Sequence, residues 1–157
     1  MRSAVATAAV TLAACGGSHA TATTAEATGW DCRSRAISYI AAHAIAAAEV
    51  GVQMDCAHGP HIKRWQVDAK TNERHETARA MTPAEFDKVW AEFAGIGWEN
   101  LHDCRKGDGG KSAPLYQFDV KDDQNTASFS CQSLHVPYPY NNLVDPLDAA
   151  AAQGASE

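Results

Sequence analysis

A chain of 157 residues holds one domain core and is too short for two. Its hydrophobic share of 45% is inflated by alanine, so large apolar side chains are few, four each of Trp, Tyr and Phe, and so small a core calls for covalent staples. Thirteen Lys plus Arg against 19 Asp plus Glu give a net charge of −6 without a basic cluster, which excludes proteins that hold nucleic acid or anionic lipid by neutralising phosphates.

In chain order, residues 1–14 (MRSAVATAAVTLAA) set one cation, Arg2, before an uncharged apolar run ending in small residues. That is the layout of a secretory signal, shorter than the roughly 20 residues of a membrane span. Leu12-Ala13-Ala14-Cys15 resembles the bacterial lipobox, a branched apolar residue and two small residues before a cysteine. Resemblance to the lipoprotein family implies cleavage before Cys15, a diacylglyceryl thioether on its sulfur, and attachment to the membrane through acyl chains. The alternative is an ordinary signal cleaved near Ala14 or Ala20. Gly16 follows the cysteine where an aspartate would mark inner-membrane retention, so enterobacterial sorting implies the outer membrane. Residues 15–29 carry no large apolar side chain after the cysteine and read as a flexible tether, leaving a single domain over 30–154.

The stretch 32–49 (CRSRAISYIAAHAIAAAE) is alanine-rich, which favours helix by propensity, although ISYIA alone fits a strand; helix is the expectation. Next, 50–56 alternates Val50, Val52, Met54 and Cys56 on one face, and 64–69 alternates Trp65, Val67 and Ala69, with AHGP turning the chain between them. The basic run HIKRW at 61–65 reads as the polar side of that strand. KTNE makes a second turn into a polar strand, RHETARA, expected at a sheet edge.

Thr82, Pro83 and Glu85 form a capping box with proline at the first helical position, and Met81 and Phe86 are spaced as a hydrophobic staple. Phe86, Val89, Trp90 and Phe93 then make the buried stripe of a helix over 83–94, with Glu85, Asp87, Lys88 and Glu92 turned away and Gly95 placed to end it. Tyr116, Phe118 and Val120 alternate, DDQN turns, and Ala127, Phe129 and Cys131 alternate in return, a second hairpin. Asp145 as N-cap and Pro146 as first residue predict a C-terminal helix closing near Gly154. The fold class is therefore α+β, a small antiparallel sheet packed by the 83–94 helix and a C-terminal helix.

With Cys15 lipidated, Cys32, Cys56, Cys104 and Cys131 remain, an even count that in an exported chain predicts two disulfides with three possible pairings. A 16-residue helix rises roughly 24 Å and a seven-residue strand returns roughly 23 Å, bringing Cys32 back to Cys56. The second hairpin likewise returns Cys131 to the segment carrying Cys104, so the expected pairs are Cys32–Cys56 and Cys104–Cys131.

Residues with chemical potential are scattered. His58 and His61, three apart in a turn, are the weak metal candidates, with His75 or His102 as a third ligand, but no HExxH or paired CxxC accompanies them, and solvated turn histidines are the plainer reading. Ser112, Ser128, Ser130 and Ser133 lack a GxSxG setting, LHDC at 101–104 is adjacency without a dyad, and KGDGGKS at 106–112 has the wrong glycine spacing for a phosphate loop and reads as a flexible loop. No catalytic residue, metal or cofactor is assigned. Trp65 and Trp90 are expected in the core. Trp98, outside regular periodicity, with Tyr138 and Tyr140 of the proline-rich VPYPYNN, forms the candidate binding patch, unless that loop packs onto the sheet.

The order of hairpin, MTPAEF helix, hairpin and terminal NLVDPLDAAAA helix is similar to small exported inhibitors of thermolysin-type proteases of the emfourin kind, a likeness of architecture without an inhibitory motif to carry over. The expectation is a non-enzymatic, lipid-anchored envelope protein with a binding or accessory role and an envelope protein as its possible partner. A protease inhibitor and a metal-binding periplasmic protein are the alternatives.

Overall fold

The computed structural model describes residues 30–43, 48–104 and 108–153; the expected signal peptide, Cys15 and the tether lie outside the described residues. Among the described residues, the five segments expected as strands and a sixth, β1, form seven-residue strands: β1 (Ala36–Ala42), β2 (Glu49–Asp55), β3 (His61–Val67), β4 (Arg74–Ala80), β5 (Leu115–Lys121) and β6 (Thr126–Gln132). They form one antiparallel sheet in the order β4-β3-β2-β1-β5-β6. The first four strands meander outward to an edge. Helix α1 (Pro83–Ile96) carries the chain back across the sheet, and the β5–β6 hairpin then adds on the far side of β1. Helix α2 (Asn141–Ala152) lies beside α1 and over β2 and β3.

One face of the sheet is covered. Ile37 and Tyr39 of β1, Val52 and Met54 of β2, Ile62 of β3, Phe118 and Val120 of β5, and Phe129 and Cys131 of β6 are buried there with Phe86, Trp90 and Phe93 of α1 and Leu143, Leu147 and Ala150 of α2. Each large side chain so buried contributes about 1.5–3 kcal/mol.

Helix α1 follows its sequence signals. Thr82 Oγ1 accepts from Glu85 N–H, Glu85 Oε2 accepts from Thr82 N–H, and Met81 and Phe86 meet in the core. Its end differs from expectation, because Gly95 is helical and Gly97, at φ 71°, supplies the left-handed cap.

The helix expected over 32–49 is corrected, since its first half is β1, an inner strand paired with β2 and β5. Helix preference for alanine over Ile or Tyr is worth tenths of a kcal/mol per residue, whereas Ile37 and Tyr39, at 1% and 2% exposure, each gain more from alternate burial. Both predicted disulfides are present, Cys32–Cys56 with Cα atoms 6.0 Å apart and Cys104–Cys131 at 4.9 Å. Cys32 returns to Cys56 through two strands of equal length rather than through a helix and a strand.

Helix α2 begins at Asn141, four residues before its expected cap at Asp145, and Pro146 lies inside it. Leu143 and Leu147, one turn apart and fully buried, draw the extra turn onto the core. The carbonyl that Pro146 leaves without an amide is that of Asn142, an exposed residue that water can reach.

Candidate functional site

The end of the sheet that carries the Cys32–Cys56 disulfide has a cleft of about 600 Å3, lined by Trp30, Asp31, Arg33, Arg35, Asp87, Trp90 and the β5–β6 turn at Asp122–Gln124. Local backbone builds it. Arg33 and Ser34 both adopt φ 54°, and Arg35 N–H returns to the Cys32 carbonyl at 3.3 Å, a tight turn whose two central residues sit in the left-handed region without being glycine. Such a conformation persists only where its surroundings hold it. Here the Cys32–Cys56 bond and the Arg35 Nε–H bond to the Cys32 carbonyl, 2.8 Å, do so.

The turn sends Arg35 into an aromatic box. Its guanidinium carbon lies 5.5, 5.1 and 5.7 Å from the rings of Trp30, Phe86 and Trp90. Its Nη2 donates to Asp87 Oδ1 at 2.7 Å, while Trp30 Nε1 donates to Asp87 Oδ2 at 2.8 Å. One carboxylate thus fixes both a cation and an indole, and α1 is tied to the segment that enters the domain. Around the mouth, Arg33 pairs with Asp31 at 3.6 Å, and Asp122 Oδ1 accepts the amides of Gln124 and Asn125. The lining holds four aspartates against two arginines, so its field favours cationic or neutral polar ligands over anions.

The expected binding residues do not form one surface. Trp98 is 1% exposed, packed edge-on to Trp90, which corrects the exposure expected of it. Tyr140 packs on Phe118 and Phe129 and donates its hydroxyl to the His102 carbonyl. Tyr138 alone is open, 77% exposed, at one end of a groove between α1 and α2 with Glu92, Ile96 and Asp145. Trp65 is buried, but on the uncovered face of the sheet, opposite Gly51 and Glu76, so its expected place in the helix-covered core is corrected.

His58 is exposed in the β2–β3 turn, and His61 approaches Asp55 at 3.3 Å and the Gly59 carbonyl at 3.0 Å. His75 lies opposite Gln66, five residues along β3 from His61 and thus roughly 17 Å away. Among the described residues no three His, Cys, Asp or Glu side chains converge as a metal site.

The loop read as flexible around 106–112 contains a 3-10 turn at Gly110–Ser112; residues 105–107 lie outside the described residues. Asp108 Oδ1 accepts the Ser133 hydroxyl at 2.6 Å and the His135 amide at 2.9 Å, and Oδ2 meets His135 Nδ1 at 2.8 Å. The Ser133 hydroxyl, foremost among these bonds, holds the Asp108 carboxyl far below the usual carboxylate range. Acid, serine and histidine share one centre, but the carboxylate stands between the hydroxyl and the imidazole. A nucleophile's proton has no direct path to the histidine in that order, and the cluster serves to pin the loop.

Sequence reading passed over Arg35 and placed Asp87 on the outward face of α1. The one signal was the tryptophan, cysteine and arginine crowded into WDCRSR, beside an aspartate one position after the staple residue Phe86. No protein-family model matches the chain, and no curated protein matches it.

Proposed function

We propose that the protein is a lipid-anchored lipoprotein of the bacterial cell envelope, placed at the outer membrane by sorting, whose domain binds a ligand or partner without transforming it.

 The observation that carries this reading is the accounting of cysteines. The domain's four are paired in two disulfides, which belong to an oxidising compartment, and the fifth, Cys15, stands directly behind Leu12-Ala13-Ala14 at the end of an apolar leader. Several acyl chains on that cysteine give stable anchoring where one would be marginal. Binding rather than catalysis is supported by the Trp30–Arg35–Asp87 cleft, whose polar groups are engaged with one another in a fixed frame and whose acidic rim suits a cationic or neutral polar ligand.

The test is the intact mass of the protein taken from bacterial membranes, with and without reduction and alkylation. The expected mass begins at Cys15, carries acyl chains, and gains four alkyl groups only after reduction. An unacylated N-terminus, or cysteines that alkylate without reduction, overturns the reading.

A further inference from the structure

The two edges of the sheet are finished differently. On β6, the chain bonds Asp122 N–H to Asn125 O and Ser133 N–H to Pro114 O fix the ladder phase, so that Thr126, Ser128, Ser130 and Gln132 turn their backbone groups outward. That edge is partly covered, because Asp103 Oδ1 accepts the Ser130 amide at 2.6 Å, the Ser130 carbonyl accepts Cys104 N–H at 2.8 Å, and the Cys104–Cys131 bond fastens the covering strip.

Among the described residues, strand β4 has no such cover. Met81 N–H to Pro60 O and Asp68 N–H to Glu73 O bracket the β3–β4 ladder and set its phase, so His75, Thr77 and Arg79 bond to β3 while Arg74, Glu76, Ala78 and Ala80 face outward. Every residue of the strand except Arg79 is exposed; the run contains neither proline nor bulge, two of the devices that blunt an edge, and its exposed charges are Arg74 and Glu76, which pair with each other.

We propose that β4 is a homodimer interface, pairing antiparallel with β4 of a second copy about a two-fold axis at Thr77 and joining the two sheets into one of twelve strands. The register follows from satisfaction of the ladder. Centred on Thr77, Arg74 faces Ala80 and Glu76 faces Ala78 of the second copy, each an outward residue opposite an outward residue, so all four exchange backbone bonds over the whole strand. Each charged side chain on the uncovered face then lies opposite an alanine, and Arg74 keeps its own Glu76 at 2.8 Å. Centring on Glu76 sets two carboxylates face to face, and centring on His75 or Ala78 runs outward residues past the end of the partner strand. On the helix side Thr77 meets Thr77, and Arg79, opposite His75, is drawn inward to the Ala150 carbonyl at 2.9 Å and to Glu85 at 3.5 Å.

Sedimentation equilibrium of the full chain and thiol cross-linking test this pairing. Thr77→Cys, in a chain with Cys15→Ser, places two sulfurs across the axis at a non-hydrogen-bonded site, where Cα atoms are about 4.5 Å apart. The expected results are a dimer mass, oxidative cross-linking through Thr77→Cys but not through Glu92→Cys on α1, and loss of the dimer in Ala78→Pro, whose melting temperature matches that of the parent chain at concentrations where both are monomeric, since within one chain that proline removes only an outward amide. A protein monomeric at every concentration, a dimer that survives Ala78→Pro, or cross-linking through Glu92→Cys alone overturns it. So does a monomer whose β4 amides gain exchange protection only from an added extended peptide, which assigns the edge to a foreign strand.

Discussion

Trp65 lies flat on Gly51, its cross-strand neighbour: a Cβ at position 51 would sit 2.0 Å from the indole ring. The ring is held there by Nε1–H donation to Glu49 at 2.8 Å and by Arg74, whose guanidinium carbon is 4.5 Å from the ring centroid. Among the described residues no second layer lies over this face, and the tryptophan still reaches 5% exposure. Gly51→Ala is expected to destabilise the domain by about 1–3 kcal/mol, the usual range for an overpacked site. The cost should largely vanish in a Trp65→Val background, and urea unfolding of the four chains of that cycle measures the coupling.

Asp87 holds two donors from the entering segment, so its removal should loosen that segment more than it weakens the core. Asp87→Ala leaves Arg35, whose side chain is 13% exposed, in an aromatic box without its carboxylate. The expected loss is about 1–2 kcal/mol, below the range for a fully buried charged bond because Asp87 itself is 46% exposed. Thermal unfolding gives the size, and faster amide exchange around residues 30–35 than in β1 gives the location.

What was legible in the sequence was whatever local chemistry decides. Thr82, Pro83 and Glu85 marked a helix start because the cap satisfies its own backbone groups, and the Tyr116–Val120 and Ala127–Cys131 alternations marked a hairpin because period two has one solution. Residues 36–42 misled because alanine fits both states, and only the partners on either side of β1 decide between them. Trp65 was assigned to the wrong face because its alternation with Val67 is real but carries no sign. Gly51, on the neighbouring strand, is what makes the outer face habitable. The cleft was invisible for a similar reason: Arg35 and Asp87 are 52 residues apart, and their meeting depends on how α1 crosses the sheet.

The Asp108 centre should show its weight in acid. Its carboxyl is held down by the Ser133 hydroxyl first, then by the His135 amide and ring, so the folded form is favoured while Asp108 is charged. That contribution is complete above the unfolded value, about 4, and declines as the pH falls below it toward the folded value. Amide exchange at Leu134 and His135 is therefore expected to accelerate, relative to β1, below about pH 4. In Asp108→Ala the same amides should exchange fast at every pH, and the acid step should be absent.

Tyr39 makes the opposite prediction at high pH. Burial, chiefly, and then its bond to Asp148 at 2.6 Å push the phenol above its ordinary value, with Arg64 acting against the shift. Arg64 also donates to Asp148 at 2.7 Å, so one carboxylate ties β1 and β3 to α2. The unfolded phenol ionises near pH 10 while the folded one stays neutral, so the unfolded chain binds fewer protons above that point. Stability from this group is thus fully present below about pH 10 and is lost as the pH rises past it. Tyr116 and Tyr140 are raised by burial too and add to the slope. Tyr39→Phe is expected to cost roughly 1 kcal/mol at neutral pH, the net worth of one hydrogen bond, and to flatten the alkaline decline without abolishing it. Urea unfolding at about pH 8 and about pH 11, with phenolate absorbance followed in parallel, decides the matter: an equally steep decline in the variant would place the alkaline sensitivity outside the Tyr39–Asp148 contact.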